Sequence, residues 1–330
     1  MGMDVVNKVS FPAFGWTFFL KETAFRIFNR EIKWYALIIS LGIILAVTYV
    51  ILRASQIKVT VDDIMDYVLY TVPIGILGAR LFYVITSLSE GATYDGLWDV
   101  IDPSNGGLAI YGGIFFGTIV VAVVSIIKKI PFLAIADCAS PAVILAQAIG
   151  RWGNFVNAEA YGNEITGNFF LRMQLNDGAC YHPCFLYESL WNVTGFILIN
   201  ILYKKKKFNG QMACMYLSWY GFGRMFIEGL RTDSLYVGPF RISQVVGFLC
   251  FVVFGGLLVW GLIYSKKLEN GTAPEGIARI FKPTLVENPV FFEKKEKKSG
   301  ETVKIEEKSG DEPETVPEEK IDDESIGKEE

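Results

Sequence analysis

The chain has 330 residues, 52% of them hydrophobic, and a formal net charge of only −4. This composition is typical of a membrane protein, and we expect no nucleic-acid partner. The charge is unevenly distributed, because acidic residues crowd into the last forty positions while lysines and arginines cluster between apolar runs. Five cysteines form neither a disulfide framework nor a zinc pattern, so we expect no metal and no cofactor.

Seven apolar runs are long enough to cross a bilayer, whose hydrocarbon core of about 30 Å needs roughly 20 residues per helix. The runs lie near residues 34–52, 64–87, 107–127, 132–152, 184–203, 212–231 and 242–264. Pro141 is expected to break the fourth run. The predicted fold is an all-α integral membrane protein, a bundle of about seven transmembrane helices with a small outward-facing cap at about 155–183.

The two ends of the chain differ from this bundle. Residues 1–33 mix aromatic and charged residues without a signal-peptide pattern, which predicts an amphipathic helix on the membrane surface. Residues 34–267 form the transmembrane domain. Residues 268–330 become strongly charged and predict an acidic, disordered cytoplasmic tail.

Lysines and arginines in the short loops predict the orientation in the membrane. They follow the first, third, fifth and seventh runs, whereas loop 88–106 has none and loop 155–183 has only Arg172. The first set of loops is therefore expected in the cytoplasm, with the N-terminus outside and the C-terminus inside. The basic N-terminal segment departs from this rule.

The polar stretch Gly150–Gly162 ends the fourth run and combines a fixed cation with amides, a carboxylate and glycines. In a helix Arg151 and Asn154 would lie about 60° apart and present together. Beyond Gly153 the chain can turn and bring Asn157 and Glu159 back toward them. This stretch predicts a site for a lipid headgroup.

Further charged residues lie inside the predicted spans, where an ionisable side chain is costly and indicates function by default. These residues are Arg80, Glu188, Arg224, Glu228 and Arg231. The last three fall at i, i+4 and i+7 and predict one stripe with a net positive face. Since an arginine fork matches a phosphate, an anionic phospholipid is a natural counter-ion. The alternative is a structural stripe paired with Arg80 or Asp137.

Three aromatic or imidazole side chains each leave two interpretations open. Tyr35 is either an interfacial belt residue or part of the site. Tyr111 stands between two glycine pairs, which serve helix packing or a close ligand approach. His182, the chain's single histidine, is either a hydrogen-bonded structural residue or a chemical group.

Two cysteines in the outward loop also leave two interpretations open. Cys180 and Cys184 are either two free thiols or a disulfide pair.

The stretch Gly150–Gly162 resembles the signature of bacterial prolipoprotein diacylglyceryl transferases, and five other segments agree in the same order. They are Ile32–Tyr35, Gly106–Gly113, His182–Pro183 with Leu186–Glu188, Gly223–Arg224 with Glu228 and Arg231, and Ile242–Gln244. The resemblance implies transfer of an sn-1,2-diacylglyceryl group from phosphatidylglycerol to the lipobox cysteine of a preprolipoprotein. It implies that Arg151, Arg231 and Tyr35 matter most.

The attacking thiol has an ordinary pKa near 8.5, so a base or a cationic field must help to form the thiolate. Many family members place histidine where this chain has Tyr111, and tyrosine is a poor base at neutral pH, so Tyr111 is more credible as a positioning group. Glu159, Glu188 and His182 remain candidates. The predicted phosphatidylglycerol contacts are Arg151, Arg231, Asn154, Arg80 and Arg224.

Two other classes of function compete with this interpretation. A transporter or channel for an anionic substrate would also explain buried arginines, but seven spans do not divide into equal inverted halves. An intramembrane protease is weaker, because the chain has no HExxH motif. We expect an enzyme of the bacterial plasma membrane whose active site faces outward.

Overall fold

A computed structural model describes residues 6–28, 30–94, 96–102 and 106–272. The chain divides into two units, residues 1–291 and 292–330. The second unit, and with it most of the predicted disordered tail, lies outside the described residues.

Eight helices account for most of the described chain. They are α1 (Trp34–Ala54), α2 (Val61–Ser89), α3 (Leu97–Ile101), α4 (Ile110–Lys128), α5 (Phe132–Val156), α6 (Cys184–Tyr203), α7 (Gln211–Leu230) and α8 (Ile242–Glu269). Six of them, all except α3 and α7, are long and apolar enough to cross a membrane. The predicted class, a helical integral membrane protein, is confirmed.

Helix α7 occupies the predicted sixth span but is not among these six. Its 20 residues are long enough, yet its outer turns carry Arg224 and Glu228, which lower its hydropathy. The count of seven spans therefore stays a prediction. Helix α7 packs between α6 and α8, with which it makes extensive contacts.

The N-terminal segment is β-structure, so the predicted amphipathic helix is wrong. Strands β1 (Val6–Phe11) and β2 (Trp16–Lys21) form a hairpin, and β3 (Thr23–Ile27) and β4 (Arg30–Lys33) form a second hairpin that leads into α1. Val9 and Phe11 are buried two residues apart, which is the period of a strand and not of a helix.

Strand β1 joins the predicted cap to the N-terminus. It pairs with β5 (Met173–Leu175), which pairs with β6 (Cys180–Tyr181), giving the sheet order β2-β1-β5-β6. A last hairpin, β7 (Tyr236–Val237) and β8 (Phe240–Arg241), separates α7 from α8. The sheet buries Val9, Phe11 and Met173 against Phe155 and Phe185, at the ends of α5 and α6.

Helix α5 runs without interruption through Pro141, so the predicted break is wrong. Proline removes one backbone donor, but membrane helices tolerate this where neighbouring groups satisfy the freed backbone. Here Pro141 is fully buried, and the carbonyl that it leaves without an N–H partner is that of Asp137, four residues earlier. The continuous helix carries Arg151 to the same end of the bundle as the start of α6.

A buried carboxylate fixes the start of α7. Asp137 is fully buried and accepts hydrogen bonds from the backbone N–H groups of Gly210 (2.7 Å) and Ala213 (2.9 Å). It also forms an ion pair with the buried Lys206 at 2.7 Å. Because the first N–H groups of a helix have no partner inside the helix, Asp137 caps α7 from a neighbouring helix. This contact sets where the opposite end of α7 lies.

Gly112, in the second glycine pair beside Tyr111, serves helix packing. A Cβ atom on Gly112 would collide with the Gly78 carbonyl of α2 and with Phe82. Helices α2 and α4 therefore approach closely at this point, in the manner of small-residue contacts in membranes.

Candidate active site

Three arginines converge on one buried carboxylate, that of Glu188 in the first turns of α6. Glu188 is 3% exposed. Its Oε2 lies 2.5 Å from Arg151 Nη2, and its Oε1 accepts hydrogen bonds from Arg224 Nη1 at 2.7 Å and Arg231 Nη1 at 3.3 Å. The prediction that this intramembrane glutamate and these arginines lie at one level is consistent with these contacts.

Two more carboxylates complete this group, which we call the arginine–carboxylate cluster: Arg151, Glu188, Arg224, Glu228, Arg231 and Asp233. Glu228 Oε2 lies 2.6 Å from Arg224 Nη2 and 3.9 Å from Arg231 Nε. The Asp233 carboxylate accepts two hydrogen bonds from one edge of the Arg231 guanidinium, from Nε at 2.9 Å and from Nη2 at 2.6 Å.

The cluster as a whole has three cations and three anions, so carboxylates from outside the α7 stripe balance the net positive charge that the sequence predicts for the stripe. The stripe on α7 alone carries two cations and one carboxylate. Glu188 comes from another helix, and Asp233 follows the end of α7 at Leu230. Burial opposes ionisation of Asp233, but its hydrogen bonds from Arg231 prevail and hold its pKa below the ordinary value.

Beyond α5 the chain folds back on Arg151, as the sequence predicts. Arg151 Nη1 donates to Asn154 Oδ1 at 3.3 Å. The side-chain amides of Asn154 and Asn157 donate to Glu159 Oε1 at 3.0 and 3.2 Å. Asn154 therefore connects the Arg151 guanidinium to the exposed carboxylate of Glu159.

The last residue of the same stretch, Gly162, lies directly against Arg231. It forms an isolated β-bridge with Arg231 and donates its N–H to the His182 carbonyl at 2.8 Å. A Cβ atom here would lie 2.7 Å from the His182 Cβ, 2.8 Å from Cys184 Sγ and 2.9 Å from the Leu230 carbonyl. Only glycine fits this approach, which ties the loop after α5 to the end of α7.

The remaining aromatic and imidazole candidates lie around the cluster. Tyr35 packs its ring on Gly153, where a Cβ would come within 2.6 Å of it. The Tyr111 hydroxyl is 3.3 Å from the Ser243 hydroxyl at the start of α8. His182 Nδ1 is 3.2 Å from the Tyr187 hydroxyl, and burial lowers the pKa of the imidazole, which favours its neutral form.

Arg80 lies outside the arginine–carboxylate cluster, contrary to the prediction that grouped it with the other arginines. Its guanidinium donates to the backbone carbonyls of Asp99 (2.6 Å), Val100 (2.9 Å) and Gly106 (2.7 Å). Within the described part of the chain, no carboxylate of the cluster is among its partners. Arg80 is buried with partners, as expected, but those partners are backbone carbonyls of α3 and of the loop before α4.

The structure also decides the other open alternatives. The stripe on α7 pairs with Glu188 and Asp233, and not with Arg80 or Asp137. Cys180 and Cys184 are free thiols. Asp233 is the member of the cluster that the sequence prediction missed. Its signal was its position two residues after Arg231, just past the helix end.

The fold and the site define a class: a helical integral membrane protein with a buried arginine–carboxylate cluster where α5 ends and α6 begins. The family model described as prolipoprotein diacylglyceryl transferase matches residues 22–260. The chain belongs to the prolipoprotein diacylglyceryl transferase family, and it is a transferase.

Named relatives cover most of the chain. It is 42% identical over 264 residues to phosphatidylglycerol--prolipoprotein diacylglyceryl transferase 1 of Clostridium perfringens, which covers 76% of this chain and 98% of the relative. It is 41% identical over 251 residues to the enzyme of Listeria innocua, and this alignment covers 73% of this chain and 90% of the relative. It is 40% identical over 258 residues to the enzyme of Streptococcus agalactiae, and this alignment covers 76% of this chain and 98% of the relative.

Proposed function

We propose that this protein transfers the sn-1,2-diacylglyceryl group of phosphatidylglycerol to the lipobox cysteine of preprolipoproteins, the first step of lipoprotein maturation. The names of its relatives contain both substrates. The observation that carries the proposal is the convergence of Arg151, Arg224 and Arg231 on Glu188. Such a group of arginines matches a phosphate that must leave with added negative charge.

Arg231 and Arg151 hold the phosphate in this proposal. Asp233 now occupies the Nε and Nη2 edge of Arg231 with both carboxylate oxygens. Two oxygens of a phosphodiester match the same fork, so the lipid phosphate takes the place of this partly exposed carboxylate. Arg151, whose side chain is 21% exposed, approaches from the other side of Glu188.

The reaction forms one bond and breaks one bond. The cysteine sulfur bonds to the glycerol carbon of the diacylglyceryl group, the C–O bond to phosphate breaks, and glycerol phosphate leaves with the bonding electrons. The thiol proton balances the second charge of that phosphate. Arg151 and Arg231 stabilise the charge that develops on the phosphate oxygen, because their guanidinium groups are held in place before the reaction.

Glu159 accepts the thiol proton in this mechanism. Its carboxylate is exposed and held by two amides, whereas Glu188 is enclosed by arginines and Tyr111 and His182 contact other hydroxyl groups. Asn154 links Glu159 to Arg151 and so to the phosphate. Tyr35, packed on Gly153, positions this turn, and Tyr111 positions the start of α8.

Glu159→Gln is expected to lower the transfer rate about 100-fold at pH 7, because a positioned proton acceptor contributes on the order of 10²–10⁴. The deficit should shrink as pH rises past about 8.5, where the substrate thiol ionises without help. Glu164→Gln, an exposed glutamate in the same loop, is the matched control. A deficit that is constant from pH 6.5 to 9.5 would assign Glu159 a structural role.

The location follows from the charge of the loops. We place the protein in the bacterial plasma membrane with its N-terminus outside and its C-terminus in the cytoplasm. The arginine–carboxylate cluster then faces the outer side, where a secreted preprolipoprotein and an outer-leaflet lipid can both reach it.

Incubation of the purified protein with phosphatidylglycerol and a lipobox peptide tests the function. We expect a mass increase of one diacylglyceryl group on the peptide cysteine, and none on a peptide with serine in its place. Absence of the adduct across several detergents and in lipid vesicles would refute the proposed activity.

A further inference from the structure

Two tryptophans interlock helices α6 and α7 beside the cluster. The indole rings of Trp191 and Trp219 stack with centroids 4.1 Å apart and an angle of 11° between their planes. Trp191 Nε1 donates to the Trp219 carbonyl, and Trp219 Nε1 donates to the Trp191 carbonyl, each at 3.0 Å. We call this reciprocal arrangement the tryptophan clasp.

Each helix carries a glycine four residues after its tryptophan, and the partner's indole occupies the space that this glycine leaves. A Cβ on Gly195 would collide with the Trp219 ring, and a Cβ on Gly223 would collide with the Trp191 ring. The two halves of the clasp are thus equivalent. A slide of one helix along the other by a single turn, 5.4 Å, would break both hydrogen bonds and drive a ring into a helix.

The clasp lies next to the groups that hold the arginines. Glu188 is one turn before Trp191 on α6, and Arg224 follows Gly223 on α7. The cavity that Glu188, Trp191, Gly223 and Arg224 line, with three further residues, has a volume of only about 10 Å³. Because close-packed groups transmit strain, a displaced indole would move Glu188 relative to Arg224.

We propose that Trp191 and Trp219 are positioning residues for the transfer reaction. They set the register of α6 against α7 and thereby the distances from Glu188 to Arg224 and Arg231, 2.7 and 3.3 Å. This inference rests on the proposed function. The substrate contacts in the proposed mechanism are the arginines and Glu159, so the effect of the clasp reaches the reaction through the geometry of the arginines.

Gly223→Ala tests the clasp without removing any hydrogen-bonding group. We expect kcat per folded molecule to fall about 10- to 100-fold, because a misplacement near 1 Å can cost 10²-fold, while KM for the peptide stays within twofold. Gly256→Ala is the matched control, since a Cβ on this glycine of α8 meets nothing within 4 Å. It should keep full kcat.

Trp191→Phe is a milder variant that keeps the ring stack and loses one N–H donor. We expect a 3- to 10-fold fall in kcat, with Trp260→Phe, an exposed tryptophan of α8, as its control. Folded protein is quantified by gel filtration and thermal unfolding. If Gly223→Ala does not fold, the kcat of Trp191→Phe per folded molecule alone tests the inference.

The outcomes separate the clasp from the proposed function. If wild-type protein forms no adduct, the proposed function fails. If wild type is active and both clasp variants keep wild-type kcat per folded molecule, even with lowered thermal stability, the clasp is structural only and the inference is overturned. A rise in peptide KM at unchanged kcat would also contradict it.

Discussion

Arg231→Ala and Arg151→Ala are each expected to remove nearly all diacylglyceryl transfer, a loss of about 10²–10³-fold, while the protein still inserts and folds. Each change removes a charge-assisted donor aimed at the phosphate, and one such donor contributes on the order of 10²–10³. Folding tolerates the loss because Glu188 keeps two of its three arginines in either variant. The measurement is adduct formation per folded molecule.

Arg172→Ala provides the control for both variants. Arg172 lies in the loop between α5 and α6, and its guanidinium donates hydrogen bonds to the nearby Gly167 carbonyl and Asn168 side chain. It should keep wild-type transfer within about twofold. Full activity in Arg151→Ala or Arg231→Ala would refute the proposal that these two arginines hold the lipid phosphate, even if the protein proves to be the expected transferase.

Glu188→Gln is expected to reduce stability and activity together. Removing the charge leaves three guanidinium groups around a neutral amide, and Arg151 loses its carboxylate partner. Breaking a buried ion pair in this way typically costs about 3–5 kcal/mol, because the remaining charge stays buried without compensation. We expect a marked fall in thermal stability in detergent and loss of most transfer activity.

Glu164→Gln serves again as the control, because it removes a glutamate charge from an exposed position. It should change neither the unfolding temperature nor transfer. If Glu188→Gln kept wild-type stability and lost activity only at low pH, Glu188 would be the proton acceptor. That result would replace both the anchoring role given to Glu188 and the acceptor role given to Glu159.

The boundaries of the membrane helices were predictable because they depend on local properties. The run at 184–203 and the helix Cys184–Tyr203 coincide, and the run at 34–52 differs from Trp34–Ala54 by two residues. Length and hydropathy determine such elements without reference to distant residues. The N-terminal strands were missed because β1 is stabilised by pairing with Leu175 and Gln174, far along the chain.

The site shows the same division. Arg151, Asn154 and Glu159 were predicted together because they lie within nine residues, and one turn of chain brings them into contact. The convergence of three arginines on Glu188 was not predicted, because it depends on how α5, α6 and the end of α7 meet, whereas Asp233 was overlooked although it lies only two residues after Arg231. Arg80 was wrongly assigned to the cluster for the same reason. Its partners belong to α3 and the loop before α4, which follow it by about 20 residues or more.

The sequence by itself determined that this protein is a helical membrane transferase and identified the arginines of its site. Hydropathy, loop charge and a contiguous motif are local properties that can be evaluated without a three-dimensional structure. Only the tertiary structure decided which carboxylates neutralise those arginines, that Gly162 joins the motif to Arg231, and that two tryptophans hold α6 against α7. The contacts of Glu188 with the three arginines, of Gly162 with Arg231 and of Trp191 with Trp219 join residues 28 to 69 positions apart, and no spacing along the chain specifies them.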